Sequence, residues 1–252
     1  MPRRLKPVAH DERLSLVDHL DELRSRLIYS LFAFLVALAL CFWQNHYILE
    51  LLNAPLGRKP VTLAVGEQFT TTFMVSAYSA ILLALPVLLF QVYSFVLPAF
   101  SPGERKVALP LLLMVPFLFI AGVVFGYYVV LPQAIAFLLN FNADEFSTLV
   151  RARDYYGFAS MSLIAIGILF QIPVVVLAVT RLGIVTPAQL RRNRRYAILA
   201  IAVVAMLLPG QDPVTMVISM VPLYLLFEFS ILLAVAFGGS PSEAGVASAE
   251  GS

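Results

Sequence analysis

Six apolar stretches separated by short polar ones constrain this chain more than any other feature. A hydrocarbon core about 30 Å thick is crossed by roughly 20 apolar helical residues, and a water-soluble domain has nowhere to bury so many such runs. The stretches are residues 27–43, 73–97, 107–130, 158–180, 196–208 and 214–237. Composition agrees, since 60% of the 252 residues are hydrophobic and 13% charged, against about 25% charge in an ordinary globular domain. The expected fold is an all-α integral membrane protein with six transmembrane helices. Around the domain at 27–237 lie a cytoplasmic amphipathic N-terminal segment, 1–26, and a small-residue polar tail, 238–252, expected to be disordered.

The fifth stretch is short. Thirteen apolar residues rise only about 20 Å, so it is either a re-entrant segment or a span that relies on local thinning and on snorkelling by Arg194 and Arg195. Charge sidedness favours a span. With six crossings, the N-terminal side holds Arg3, Arg4, Lys6, Arg13, Arg24, Arg26, Arg105, Lys106, Arg181, Arg191, Arg192, Arg194 and Arg195, which is thirteen of the 17 basic residues. The other side holds Arg58, Lys59, Arg151 and Arg153. Basic residues collect on the cytoplasmic side, so both termini are expected there.

Pro86, Pro110, Pro116, Pro173 and Pro222 lie inside the stretches, and each removes a backbone hydrogen bond and favours a kink. Kinked helices suit a concave wall better than a straight bundle. Cys41, the single cysteine, reads as a small buried hydrophobe. No small-residue cleavage site follows the first stretch, so that helix is expected to remain in the mature chain.

Two polar features on the cytoplasmic side carry chemistry. Ser15 and Asp18 have the spacing of a helix cap, and Leu16, Leu20, Leu23 and Leu27 form one stripe of an amphipathic helix. On its polar face Glu22 can pair with Arg26 four residues on. The tight polar turn Ser101-Pro102-Gly103-Glu104-Arg105-Lys106 joins two apolar stretches and places Glu104 at a helix start, where the dipole favours a carboxylate. Both glutamates read either as solvated surface or as an acidic site for a cationic ligand.

The segment His19-Leu20-Asp21-Glu22-Leu23-Arg24 resembles the HLxELR signature of the TatC family, and SPGERK resembles its first cytoplasmic loop. Further matches follow in family order: Ala54-Pro55-Leu56, Phe95 in QVYSFVLPAF, Phe125-Gly126-Tyr127-Tyr128 before VVLP, and Asp212-Pro213. The resemblance implies a receptor for folded proteins exported with a consecutive-arginine signal peptide across the bacterial inner membrane, driven by the proton-motive force. It implies that Glu22 and Glu104 bind the arginine pair, with Leu20, Arg24, Phe95 and Arg105 as neighbours. It also implies partners, the TatA and TatB type single-span proteins, and a homo-oligomer within a larger complex. Arginine offers a rigid fork of donors for bidentate carboxylate contacts that lysine cannot copy.

Where many family members carry an intramembrane glutamate in the fourth span, this chain has Gln171, which hydrogen-bonds but cannot ionise. Glu228 lies within the sixth stretch and must be paired, protonated or close to the interface. The resemblance makes the region of Asp212 and Thr215 a docking surface for the partner subunits. Between the first two spans, Tyr47, Ile48, Leu51 and Leu52 share a helical face and suggest a short interfacial helix capping the periplasmic side. No role for Glu67 in the same loop can be read. The runner-up reading is a small-solute transporter, opposed by the missing internal repeat and the scarcity of mid-membrane charge. An enzyme is not expected, because His10, His19 and His46 all lie outside the stretches and no HExxH, Walker or GxSxG pattern occurs. No cofactor or metal is expected.

Overall fold

The computed structural model describes the backbone of residues 16–96, 102–181, 184–207 and 213–237, and the side chains of 21–95, 114–180, 184–207, 213–214 and 216–235. Ser15, Asp212 and the tail at 238–252 lie outside the described residues. Within them the chain is helical, and its one β contact is an isolated bridge between Val61 and Arg151.

The helices are α1 (Leu16–Trp43), α2 (Asn45–Asn53), α3 (Glu67–Val96), α4 (Pro102–Phe125), α5 (Leu131–Asn140), α6 (Ala152–Leu169), α7 (Ile172–Arg181), α8 (Pro187–Arg192), α9 (Arg194–Met206) and α10 (Pro213–Phe237). Five segments are long and apolar enough to cross a membrane: Asp21–Trp43, Glu67–Phe95, Met114–Asn140, Ala152–Thr180 and Met216–Val235. The remaining expected span, the fifth, is α9. Its 13 residues fall short of that length, but it is no detached hairpin, because Ile201 is buried with Leu223, Phe227 and Ile231 of α10.

The third span differs from its sequence reading. It was expected over 107–130, yet the helix begins at Pro102 and continues past Phe125 through a π turn, Gly126–Val130, into α5. Pro132 explains the wider turn, since it has no N–H for the Tyr128 carbonyl. The Leu131 N–H reaches back five residues to the Gly126 carbonyl instead, widening the helix just ahead of the proline.

Proline acts unevenly elsewhere. α3 stays continuous through Pro86, α4 through Pro110 and Pro116, and α10 through Pro222. Of the five prolines expected within spans, only Pro173 follows a helix stop, α6 ending at Leu169 and α7 starting at Ile172.

The helices form an open row. α1 packs on α3, α3 on α4 and α6, α7 on α10, and α10 on α9. The α1 span has 11% of its residues buried within the protein, against 39% for the fourth span, which places α1 at an edge and α6 at the centre. Small residues make the seams, as expected where lipid offers no hydrophobic drive. Ala37 and Cys41 of α1 meet Ala80 and Ala84 of α3, and Cys41 is buried as expected. Between α4 and α6, a Cβ at Gly167 would stand 2.5 Å from Phe119 Cε2 and one at Gly122 2.7 Å from Phe170 Cγ.

Candidate functional site

The starts of α1 and α4 and the end of α3 lie at one end of the row, hereafter the Glu22 end. Arg26 near the start of α1 meets Gln91 near the end of α3, and Phe42 near the end of α1 meets Phe73 near the start of α3, so the two helices are antiparallel and Glu22 is level with the last turns of α3. Arg26 connects them. Its Nε donates to Glu22 Oε1 at 3.0 Å, its Nη1 to Gln91 Oε1 at 3.1 Å, and its Nη2 to the Ser94 carbonyl at 3.3 Å. Glu22 keeps 29% of its side chain exposed and Arg26 22%, so the pair is neither sealed in apolar surroundings nor loose in water.

The expected pairing of Glu22 with Arg26 is therefore present. Gln91 was missed, although it lies one turn before Phe95 on the same helix. Phe95 is half-buried and Arg24 exposed. Leu20 belongs to α1, and Glu104 and Arg105 belong to the first turn of α4; their side chains lie outside the described residues. The backbone nonetheless brings the α4 start to the same end of the row as Glu22, with only five residues between it and the end of α3.

Gln171 occupies the break between α6 and α7. It is 3% exposed, and its Nε2 donates to the Val115 carbonyl of α4 at 3.2 Å. Its Oε1 has no protein partner, leaving one acceptor turned into the span. Glu228 resolves to the paired alternative: its Oε2 accepts from Arg194 Nη2 at 2.8 Å and its Oε1 from the Tyr224 hydroxyl at 2.9 Å. Arg194 is thus tied to α10, while Arg195, the other arginine expected to snorkel, is bonded to no acid among the described residues. Thr215 lies in the first turn of α10, without a described side chain.

The opposite, Glu67 end is more tightly joined. Glu67, 4% exposed, accepts from Arg151 Nε at 2.7 Å and from the Leu63 and Ala64 N–H groups at 2.8 and 3.2 Å. Its hydrogen bond and charge push the Arg151 guanidinium, already basic, further up. Around this pair the loops before α3 and before α6 are stitched, the Val61 N–H to the Val150 carbonyl at 2.9 Å and the Ala152 N–H to the Val61 carbonyl at 2.7 Å. Sequence reading missed this role because neither residue signals its partner 84 positions away.

The short helix expected between the first two spans is present as α2, with Tyr47 and Leu51 exposed and Leu52 buried. Tyr127 donates to the Leu51 carbonyl at 2.8 Å, Tyr155 to the Leu52 carbonyl, and Tyr156 to Asn53 Oδ1 at 2.9 Å. Helix ends leave carbonyls short of intrahelical donors: Tyr127 adds a second donor to the Leu51 carbonyl, which also accepts from the Ala54 N–H, Tyr155 serves the Leu52 carbonyl, and Tyr156 holds the Asn53 side chain. Among the described residues no group of three or more His, Cys, Asp or Glu could hold a metal ion.

Fold and site together define a multi-pass α-helical membrane protein, an open row of helices with a positioned carboxylate at one end and a locked cap at the other. The chain belongs to the TatC family: the family model described as Sec-independent protein translocase protein (TatC) matches residues 18–222. The Sec-independent protein translocase protein TatC of Desulforapulum autotrophicum is 34% identical over 234 residues, covering 90% of this chain and 87% of that protein. That of Deinococcus radiodurans is 35% identical over 232 residues, covering 88% and 86%. A crystal structure of the twin-arginine translocase receptor TatC in DDM matches with a TM-score of 0.74 at 34% identity, covering 85% of this chain and 98% of that one. The chain is thus a component of a protein translocase, and nothing in these matches supports a small-solute transporter.

Proposed function

We propose that this chain is the receptor and core scaffold of a twin-arginine translocase, capturing the consecutive-arginine signal peptides of folded proteins at the Glu22 end. The observation that carries this reading is the Glu22 carboxylate, part-exposed and fixed against α3 through Arg26 and Gln91, one turn from Phe95. A guanidinium arriving there meets an acceptor already held in place, which lowers the ordering cost of binding. Glu104, in the first turn of α4 at the same end, supplies the second carboxylate for the second arginine. The Glu22 end faces the cytoplasm, in keeping with its excess of basic residues, and both termini lie on that side of the bacterial inner membrane. The apolar part of the signal lies along the concave side of the row. Single-span partners of the TatA and TatB type dock near Asp212 and Thr215, several copies of this chain join one complex, and the proton-motive force drives export. With Gln171 in place of a carboxylate, the fourth span contributes hydrogen bonding and not a titrating group.

The test is binding of a fluorescent signal peptide to the detergent-purified chain. Arg-Arg peptide should bind at least about tenfold more tightly, roughly 1.4 kcal/mol, than its Lys-Lys version, and Glu22→Ala or Glu104→Ala should remove that advantage. Equal binding in every combination would make the acidic residues ordinary surface.

A further inference from the structure

Four arginines fall within five residues where α8 turns into α9: Arg191, Arg192, Arg194 and Arg195. Among the described residues only Arg194 is neutralised, by Glu228. Arg191 and Arg192 are exposed and form no ion pair among the described residues. Arg195 lies 4.9 Å from the centre of the Tyr196 ring, its Nη2 3.3 Å from that hydroxyl. Among the described residues three guanidiniums at one elbow have no counter-charge, and residues 182–207 contain no acid.

An apolar groove begins beside them. It runs between α9 and α10, has a volume of about 260 Å³, and is lined by Ile198, Ile201, Met220, Val221, Tyr224 and Leu225. Ile198 stands one helical turn beyond Arg194 and Arg195, and Tyr224 and Leu225 stand one turn before Glu228, so the groove opens at the arginines. The elbow is also recessed. α10 continues nine residues past Glu228 to Phe237, about 13 Å at 1.5 Å per residue, because α9 is too short to match it.

We propose that this elbow binds one anionic phospholipid, its headgroup phosphate on Arg191, Arg192 and Arg195 and one acyl chain in the α9–α10 groove. Guanidinium forks match phosphate oxygens bidentately, and basic clusters next to a membrane helix attract anionic lipid. A partner helix would need the groove but not three uncompensated guanidiniums; a free phosphate would need the guanidiniums but not the groove. Bound there, the lipid covers the recess that the short α9 leaves, which is otherwise the thinnest part of the row.

The experiment is native mass spectrometry of the whole chain in detergent, titrated with dioleoylphosphatidylglycerol, dioleoylphosphatidylcholine, or glycerol 3-phosphate as the headgroup phosphate without chains. The phosphatidylglycerol should be retained at least about tenfold more tightly than the phosphatidylcholine, and glycerol 3-phosphate should not be retained. The triple variant Arg191→Gln, Arg192→Gln, Arg195→Gln should lose that preference, and Val221→Phe, which fills the groove, should weaken both lipids. Equal retention of the two lipids by the unmodified chain overturns the proposal without recourse to any variant. So does an unchanged preference in a folded triple variant, or glycerol 3-phosphate binding as well as the lipid.

Discussion

At the Glu67 end, polar groups from distant parts of the chain are joined in pairs: a buried carboxylate with a guanidinium, three phenols with the end of α2, and one loop backbone with another. Among the described residues the Glu22 end is lighter. There a part-exposed ion pair four residues apart reaches the Gln91 side chain and the Gln91 and Ser94 carbonyls of α3, and of the four arginines at the α8–α9 elbow one is paired with a described acid. Buried polar groups must be satisfied or they destabilise the fold, so the first end is built to stay in one arrangement. Exposed charges keep their interactions available for a ligand, which suits a surface that binds and releases.

The sharpest way to break this comparison is Glu67→Ala. It leaves Arg151 without its acceptor and frees two backbone N–H groups, so its fall in Tm should exceed that of every other single substitution at either end, measured by size-exclusion after heating in detergent. An equal fall for Glu22→Ala would erase the distinction between the ends. Tyr155→Phe comes next, because it strands the buried Leu52 carbonyl and should cost about 1–3 kcal/mol. Tyr127→Phe removes a hydroxyl from a more exposed contact with Leu51, and about 1 kcal/mol is expected by the same denaturation measurement. Smallest is Arg26→Gln, whose part-exposed pair should contribute about 1 kcal/mol or less to stability. A Tm loss from Arg26→Gln exceeding that from Tyr155→Phe would mean that the Glu22 end is itself a structural lock.

Legibility in the sequence followed the range of the physics. The Glu22–Arg26 pair could be read because helical spacing sets it within one turn, and α2 could be read from the periodicity of its apolar residues. Glu67 could not, since its partner is 84 positions away and nothing local marks it. The π turn before Pro132 was missed because a proline announces a lost hydrogen bond but not how the helix absorbs it. Four of the five prolines expected within spans leave their helices continuous, since a proline removes a single hydrogen bond and need not end the helix around it.

By itself the sequence determined that the chain crosses a membrane as helices, since hydrocarbon leaves backbone polar groups no partners except their own, and, Glu228 apart, it placed the charged residues outside the apolar stretches. It also identified the glutamates that the family resemblance points to. Only the tertiary structure decided that the helices form an open row, that Glu228 is answered by Arg194, that Gln171 turns inward at the α6–α7 break, and that two distant loops close around Glu67. Those outcomes depend on pairings between residues far apart in the chain, which are fixed when whole helices settle against one another and not by any local pattern.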